Sequence, residues 1–267
     1  MNRLLLATAT LSAIISAGSA MAADMPLKAP IIKPVPIFSW TGCYFGGNVG
    51  GKTARVSGSV DIPAATGLGG PSPASSFGLS DNLEASTVIF GGQVGCNYQA
   101  GPVVFGIEAD ADWHNWSRTQ TVLTAPVLFV PGDTFDIRSR WQSSARGRVG
   151  YAFDRYLIYA TGGVAWTNLQ VGSNFIAFGP FPATVVSDSK TLTGATLGGG
   201  FEMAIWQNFS FGVEGRYTWY DNNTFNSGLV ATSLANGFTT APATTRFRLV
   251  TIEGMAKLNY RLDWGRY

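Results

Sequence analysis

Val250-Thr251-Ile252-Glu253-Gly254-Met255-Ala256-Lys257-Leu258-Asn259-Tyr260-Arg261-Leu262 is the stretch that decides the fold. Val250, Ile252, Gly254, Ala256, Leu258, Tyr260 and Leu262 share one parity. Thr251, Glu253, Lys257, Asn259 and Arg261 share the other, with Met255 as its apolar member. A period of two is the pattern of a strand whose two faces meet unlike surroundings. A slip of one residue would exchange the two sets, so the register is strongly specified.

The same split recurs upstream. Phe209, Phe211, Val213, Gly215, Tyr217 and Trp219 oppose Ser210, Glu214, Arg216 and Thr218, while Val103, Phe105, Ile107, Ala109, Ala111 and Trp113 oppose Glu108, Asp110 and Asp112. Trp141, Ala145, Gly147, Val149, Tyr151 and Phe153 oppose Gln142, Ser144, Arg146 and Arg148, and Val88, Phe90, Gly92, Val94, Cys96 and Tyr98 oppose Gln93, Asn97 and Gln99. Three further strands, over 40–55, 156–170 and 190–206, alternate less cleanly. Paired glycines such as Gly46-Gly47 and Gly162-Gly163 interrupt them, and glycine within a strand marks a bend or bulge. The total is eight strands. Breaks near Gly101, Asp154 and Gln207 are short, whereas 57–85, 120–134, 171–189 and 221–245 are long and rich in Gly, Pro, Ser, Thr and Asn.

An even number of antiparallel strands joined alternately by tight turns and long loops describes an all-β, up-and-down transmembrane barrel of a bacterial outer membrane, with both termini in the periplasm. Tyr and Trp near strand ends, at Trp40, Trp113, Trp141, Tyr151, Tyr156, Trp166, Trp219 and Tyr260, read as the aromatic girdles of the two lipid interfaces. A soluble barrel with an apolar interior would instead have to expose the acids and bases that only some strands carry, so the outward face is the apolar one.

The N-terminus agrees with export. Arg3 precedes an apolar run over 4–17 and small residues that end in Ala20-Met21-Ala22, which reads as a signal peptide over 1–22 cleaved between Ala22 and Ala23. Residues 23–39 carry Pro26, Pro30, Pro34 and Pro36 and read as an extended periplasmic lead-in, leaving 40–267 for the barrel. Composition narrows the function. Only 13% of the chain is charged and the formal net charge is +2, which argues against a nucleic-acid partner. Two cysteines and one histidine leave no cofactor or metal centre of the usual Cys or His type.

The segments Trp40-Thr41-Gly42-Cys43-Tyr44-Phe45-Gly46-Gly47-Asn48-Val49-Gly50-Gly51, Gly91-Gly92-Gln93-Val94-Gly95-Cys96-Asn97-Tyr98, Gly106-Ile107-Glu108-Ala109-Asp110, Arg146-Gly147-Arg148-Val149-Gly150-Tyr151-Ala152-Phe153-Asp154-Arg155 and Tyr159-Ala160-Thr161-Gly162-Gly163-Val164-Ala165 resemble the RopB-type outer-membrane proteins of alphaproteobacteria. The resemblance implies an OmpA-like eight-stranded barrel of the porin family with a structural role in the Gram-negative cell envelope. It brings no catalytic residues. The implied partners are outer-membrane lipid and lipopolysaccharide, and the barrel-assembly machinery during biogenesis. No peptidoglycan-binding domain is expected after Leu262, and the oligomeric state is not encoded legibly. Two features depart from the family: Cys43 and Cys96 stand where such sequences usually carry Phe or Tyr, and residues 263–267 extend past the usual terminal aromatic position. With Lys257, Asn259 and Arg261 turned inward, the outward register runs through Leu262 to Trp264.

Parity defines the candidate site. Glu108, Asp110, Asp112, Arg146, Arg148, Glu202, Glu214, Arg216, Glu253, Lys257 and Arg261 point into the lumen, where acids and bases nearly balance. An eight-stranded interior is just wide enough to be filled by side chains, so these groups are expected to pair with one another and with Gln93 and Asn97. The expected function is a structural barrel with a largely plugged lumen. Its alternatives are a narrow gated pore and an adhesion or receptor role in the long loops. Cys43 and Cys96 lie on adjacent strands and form a candidate disulfide. His114 lies inward beside Asp112, but the next position on its face is Trp116 and Ser117 points away, so no enzyme is expected.

Overall fold

The computed structural model describes residues 38–67, 70–72, 74–121, 132–177, 183–234 and 237–262. They form β1 (Gly42–Ile62), β2 (Ala65–Gly67), β3 (Gly70–Ser72), β4 (Ser75–Ala100), β5 (Val103–Thr121), β6 (Thr134–Phe153), β7 (Tyr156–Phe175), β8 (Thr184–Ala204), β9 (Phe209–Tyr220), β10 (Asn223–Leu234) and β11 (Gly237–Arg261). Eight of these, β1, β4 to β9 and β11, pair antiparallel in that order, and β11 returns to pair with β1, which closes the sheet into a barrel. Closure leaves no open edge, the condition for β-structure to sit in hydrocarbon. β10 pairs with the first half of β11, and β2 and β3 form a separate short hairpin.

The register fixes the dimensions. Paired residues lead from Cys43 through Cys96, Ile107, Gly147, Gly162, Leu197, Tyr217 and Ile252 to Thr53, which lies on the starting strand ten residues further along. A stagger of that size over eight strands tilts them by about 40° to the barrel axis, from the usual strand rise and spacing. The short turns lie at one end, around 101–102, 154–155 and 205–208. Asp154 adopts φ 51° there, a left-handed conformation that a short polar side chain tolerates.

Lipid explains the outer surface. Phe211, Val213, Tyr217, Ile252, Leu258, Phe90 and Ile107 point outward and are exposed. From Phe209 to Trp219 the outward face of β9 is apolar, and at this tilt those residues span about 25 Å along the barrel axis, the height of the apolar band in such barrels. Trp113, Trp141, Trp219, Tyr151 and Tyr156 are exposed near the two edges of the band.

Beyond the band toward the long loops, the strands continue and the pattern inverts. In β11, Ile252 and Leu258 face out while Glu253 and Lys257 face in; eleven residues before Leu258, Phe247 and then Leu249 face in while Arg246 and Arg248 face out. β1 repeats the switch, with Val49 outward and Asn48 inward below, Arg55 outward and Ala54 and Val56 inward above. These two strands cross from lipid into water, and the face that must be apolar changes as they do.

Several expectations need correction. Trp40 is not part of the lipid girdle: it is 3% exposed and packs with Val104, Ala152, Leu157, Tyr159 and Ala204 at the short-turn mouth. Its indole Nε1 donates to Asp154 O at 3.1 Å and its backbone N to Gln99 Oε1 at 2.7 Å. Phe38, expected in an extended lead-in, packs edge-on against Trp40 with ring centroids 5.1 Å apart. The segments read as long loops are in large part strand, since β1 runs to Ile62, β4 begins at Ser75 and β10 fills much of 221–245. Leu262 is outward, as the register required, while Trp264 lies outside the described residues. So do the signal peptide, the Ala22–Ala23 junction and all but Phe38 and Ser39 of the lead-in.

Candidate functional site

The lumen is layered along the barrel axis. Its middle holds six carboxylates, from Glu108, Asp110, Asp112, Glu202, Glu214 and Glu253, and five cations, from Lys52, Arg146, Arg148, Arg216 and Lys257, none more than 7% exposed. Strand parity places them there. Glu108, Asp110 and Asp112 succeed one another on β5, Arg146 and Arg148 on β6, Glu214 and Arg216 on β9, and Glu253 and Lys257 on β11.

Every carboxylate of the group has a cation partner. The Arg146 guanidinium reaches Glu108 at 2.6 Å and Asp110 at 2.7 Å and also bonds Glu214. Arg216 reaches Asp110, Asp112 and Glu253, each at 3.0 Å. Lys257 Nζ lies 2.5 Å from Glu108 and 2.9 Å from Glu214, and Arg148 reaches Glu202 at 2.9 Å. Neutral donors occupy remaining lone pairs: Tyr44 Oη donates to Glu108 at 2.6 Å, Tyr159 Oη to Glu214 at 2.7 Å and Ser144 Oγ to Asp110 at 2.7 Å. Arg148 also lies over the Tyr159 ring, 3.8 Å from its centroid. Buried charges survive only when paired and hydrogen-bonded in this way.

The two tyrosines cross the lumen because glycines beneath them leave room. A Cβ on Gly95 would lie 2.5 Å from Tyr44 Oη, and one on Gly200 would lie 2.6 Å from the same atom of Tyr159. The polar layer is bounded along the axis by apolar clusters. Toward the short turns stands the Trp40 cluster; toward the long loops, Val56, Trp116, Ile137, Leu169, Leu192, Phe225, Phe247 and Leu249 form an apolar plug inside the barrel.

Ten of the eleven expected lumen residues are brought together, and Arg261 is not among them. Its guanidinium bonds the carbonyls of Ser39 and Gln207 at the short-turn mouth and lies 4.4 Å from the Phe38 ring centroid. It is the last strand residue, where the barrel wall ends and the side chain can turn to the rim. Lys52, which sequence reading missed, joins the network at Gln142 Oε1, 2.5 Å away, and at Glu253, 3.8 Å away. The signal was present in Tyr44, Asn48 and Lys52, which share one parity and are all buried.

His114 has its partner on another strand, where spacing along its own strand does not reveal it. Its Nε2 lies 2.8 Å from Ser139 Oγ on the neighbouring β6, and Ser139 Oγ lies 3.2 Å from Thr167 Oγ1. The third member of a relay is missing: Asp112 is committed to Arg216, Gln142 and Asn48, and His114 Nδ1 has no hydrogen-bond partner among the described residues. Cys43 and Cys96 are directly opposed across β1 and β4 and joined with their sulfurs 2.05 Å apart.

A closed barrel with a lipid-facing apolar band, a polar interior and water-adapted extensions at one end is an outer-membrane β-barrel protein. Residues 10–234 match the family model of the outer membrane protein beta-barrel domain, and the chain belongs to that family. Its relatives include the 31 kDa outer-membrane immunogenic protein of Brucella melitensis, 33% identical over 222 residues that cover 76% of this chain and 81% of that protein. Another is the 22 kDa outer membrane protein of Rhizobium leguminosarum bv. viciae, 30% identical over 162 residues that cover 60% of this chain and 65% of that one. Both relatives come from alphaproteobacteria. Among solved structures, the outer membrane protein OprG of Pseudomonas aeruginosa aligns with a TM-score of 0.45 at 10% identity, covering 84% of this chain and 99% of that one.

Proposed function

We propose that the chain is a non-conducting, non-catalytic structural barrel of the RopB type, seated in the outer membrane with its short turns and both termini in the periplasm and its long loops outside. The observation that carries this reading is the lumen: a network of paired buried charges fills its middle, and apolar clusters stand on either side of it. A conducting path would have to break pairs in the charged layer and part the Trp116 plug as well. That no acid stands behind His114 among the described residues, together with the burial of Ser139, supports a structural role for that pair.

The reading is tested in cells lacking the protein. A structural barrel predicts lower tolerance of detergent and chelator, with unchanged uptake of small hydrophilic solutes, and restoration by the wild-type chain. Slower uptake with unchanged tolerance would overturn it in favour of a gated pore.

A further inference from the structure

Beyond the aromatic edge at the long-loop end, the outward face turns polar, and exposed arginines stand there on several strands; Arg118 on β5 donates to the Glu84 carbonyl and Arg248 on β11 to Asn222 Oδ1. On β1 and β11, Arg55 and Arg246 each have an acidic neighbour, Glu84 at 3.7 Å and Asp61 at 3.6 Å. On β6 the situation differs. Arg138 and Arg140 both point outward and are exposed, and neither guanidinium has an ion-pair or hydrogen-bond partner among the described residues. Their backbone is held in place: a register shift between Arg138 and Gln142 is pinned by Asn168 Oδ1, which accepts from Arg140 N at 2.9 Å and Trp141 N at 3.0 Å. The shift places Arg140 and Trp141 on the outside together.

Beside Arg138 a cleft of about 170 Å³ opens across β6, β7 and β8. Arg138, Gln170, Asn174 and Ser187 line it with donors and acceptors, Gln170 Nε2 donates to Ser187 Oγ at 3.1 Å, and the one carboxylate in the lining, Asp136 across from Gly172, accepts from Thr119 Oγ1. Its floor is Gly172. A Cβ there would meet its nearest neighbour, Asp136 Cβ, at 3.6 Å, which is ordinary contact. Packing within the barrel therefore does not demand this glycine, and the space above it exists because the side chain is missing. Asp136 is engaged by Thr119 and forms no ion pair with either arginine, and two guanidinium groups that are not ion-paired suit phosphate oxygens. Amide and hydroxyl groups around a space on the scale of one sugar ring suit sugar hydroxyls, and the exposed apolar side chains of Trp141 and Val164 lie below for acyl chains.

We propose that this face of β6 to β8 binds the phosphorylated sugar headgroup of an outer-leaflet glycolipid of the lipid A type. Arg138 and Arg140 hold phosphate, the cleft over Gly172 receives a sugar ring, and the acyl chains lie over the apolar band. The proposal rests on the long-loop end facing outward, as argued above.

The test uses the mature chain folded in detergent, with the folded state verified by heat-dependent gel mobility, and native mass spectrometry to read bound lipid. The probes are bisphosphorylated lipid A, its monophosphorylated form, phosphatidylglycerol and inorganic phosphate. The expected result is retention of one lipid A, weakened about ten-fold or more by R138A/R140A or by removal of one phosphate. Gly172→Val, which fills the cleft, also weakens it, and R55A/R246A does not. Equal retention by R138A/R140A, equal binding of phosphatidylglycerol, or displacement by millimolar inorganic phosphate would overturn the proposal. Orientation is read separately, at an exposed position of the long-loop end outside the cleft: a membrane-impermeant thiol reagent labels Ser76→Cys on intact cells if this end is outside, and failure to label overturns the glycolipid assignment whatever is seen in detergent.

Discussion

Replacing Arg146 with methionine keeps the length of the side chain and removes its charge from the centre of the lumen. Three carboxylates lose a partner at once: Glu108, Asp110 and Glu214. None is stranded. Glu108 keeps Lys257 at 2.5 Å and Tyr44 at 2.6 Å, Glu214 keeps Lys257 at 2.9 Å and Tyr159 at 2.7 Å, and Asp110 keeps Arg216 at 3.0 Å and Ser144 at 2.7 Å. The cost therefore belongs at the lower end of the range for breaking a buried pair, about 3 kcal/mol, a hundred-fold or more in the folding equilibrium. Neutralising Glu214 in the same chain removes one of the unbalanced charges. Arg146→Met combined with Glu214→Gln should consequently be more stable than the sum of the single effects by about 1–3 kcal/mol. Reversible urea titration of folding into lipid vesicles, followed by tryptophan fluorescence and heat-dependent mobility, measures all corners of the cycle. A cost under about 1 kcal/mol for Arg146→Met with additive double-variant behaviour is the signature of solvated pairs, and would refute a dry, interlocked lumen.

Other expectations follow from single features. Native protein should contain no alkylatable thiol, and reduction of the Cys43–Cys96 bond, which spans 53 residues of chain, should lower stability by about 2–4 kcal/mol; two reactive thiols before reduction, or an unchanged urea midpoint after it, would contradict this. Gly200→Ala drives a Cβ to 2.6 Å from the Tyr159 hydroxyl and should cost about 1–3 kcal/mol, whereas Gly254→Ala, which meets nothing within 4 Å, should stay within about 0.5; equal effects would refute the packing argument. His114→Ala and Ser139→Ala should leave lipid deacylation and peptide cleavage at the wild-type level, and loss of a measurable activity in both would reinstate an enzyme.

The sequence was most readable where one strand keeps one pair of surroundings. β9 is the clearest case: Phe209 to Trp219 outward and Ser210 to Thr218 inward alternate without a break, and the lumen acids and bases of β5, β6 and β11 were found by the same parity. Two things hid the rest. Gly46 and Gly50 on the inward face and Gly47 and Gly51 on the outward face interrupt both halves of the alternation in β1, which concealed Lys52 although its own parity was correct. The switch of surroundings partway along the strands concealed the plug. Phe247 and Leu249 look out of phase with Ile252 and Leu258 until the upper part of β11 is placed in water, where an apolar interior is required. Trp40 was misplaced for a related reason, since a tryptophan near a strand end serves either a lipid interface or a mouth seal, and parity begins only at β1. Ser139 could not be paired with His114 from spacing, because register across β5 and β6 includes an irregularity between Trp113 and Trp116.

The central claim is that this lumen does not conduct, and single-channel recording of the refolded mature barrel in a planar bilayer tests it most directly. The account predicts electrical silence from protein whose folded state is verified by gel mobility, both for the wild type and for Arg146→Ala, since the Trp116 plug and the remaining pairs stay in place. Reproducible openings of the wild type whose conductance changes in Arg146→Ala would contradict it, and would make the charge pairs a gate.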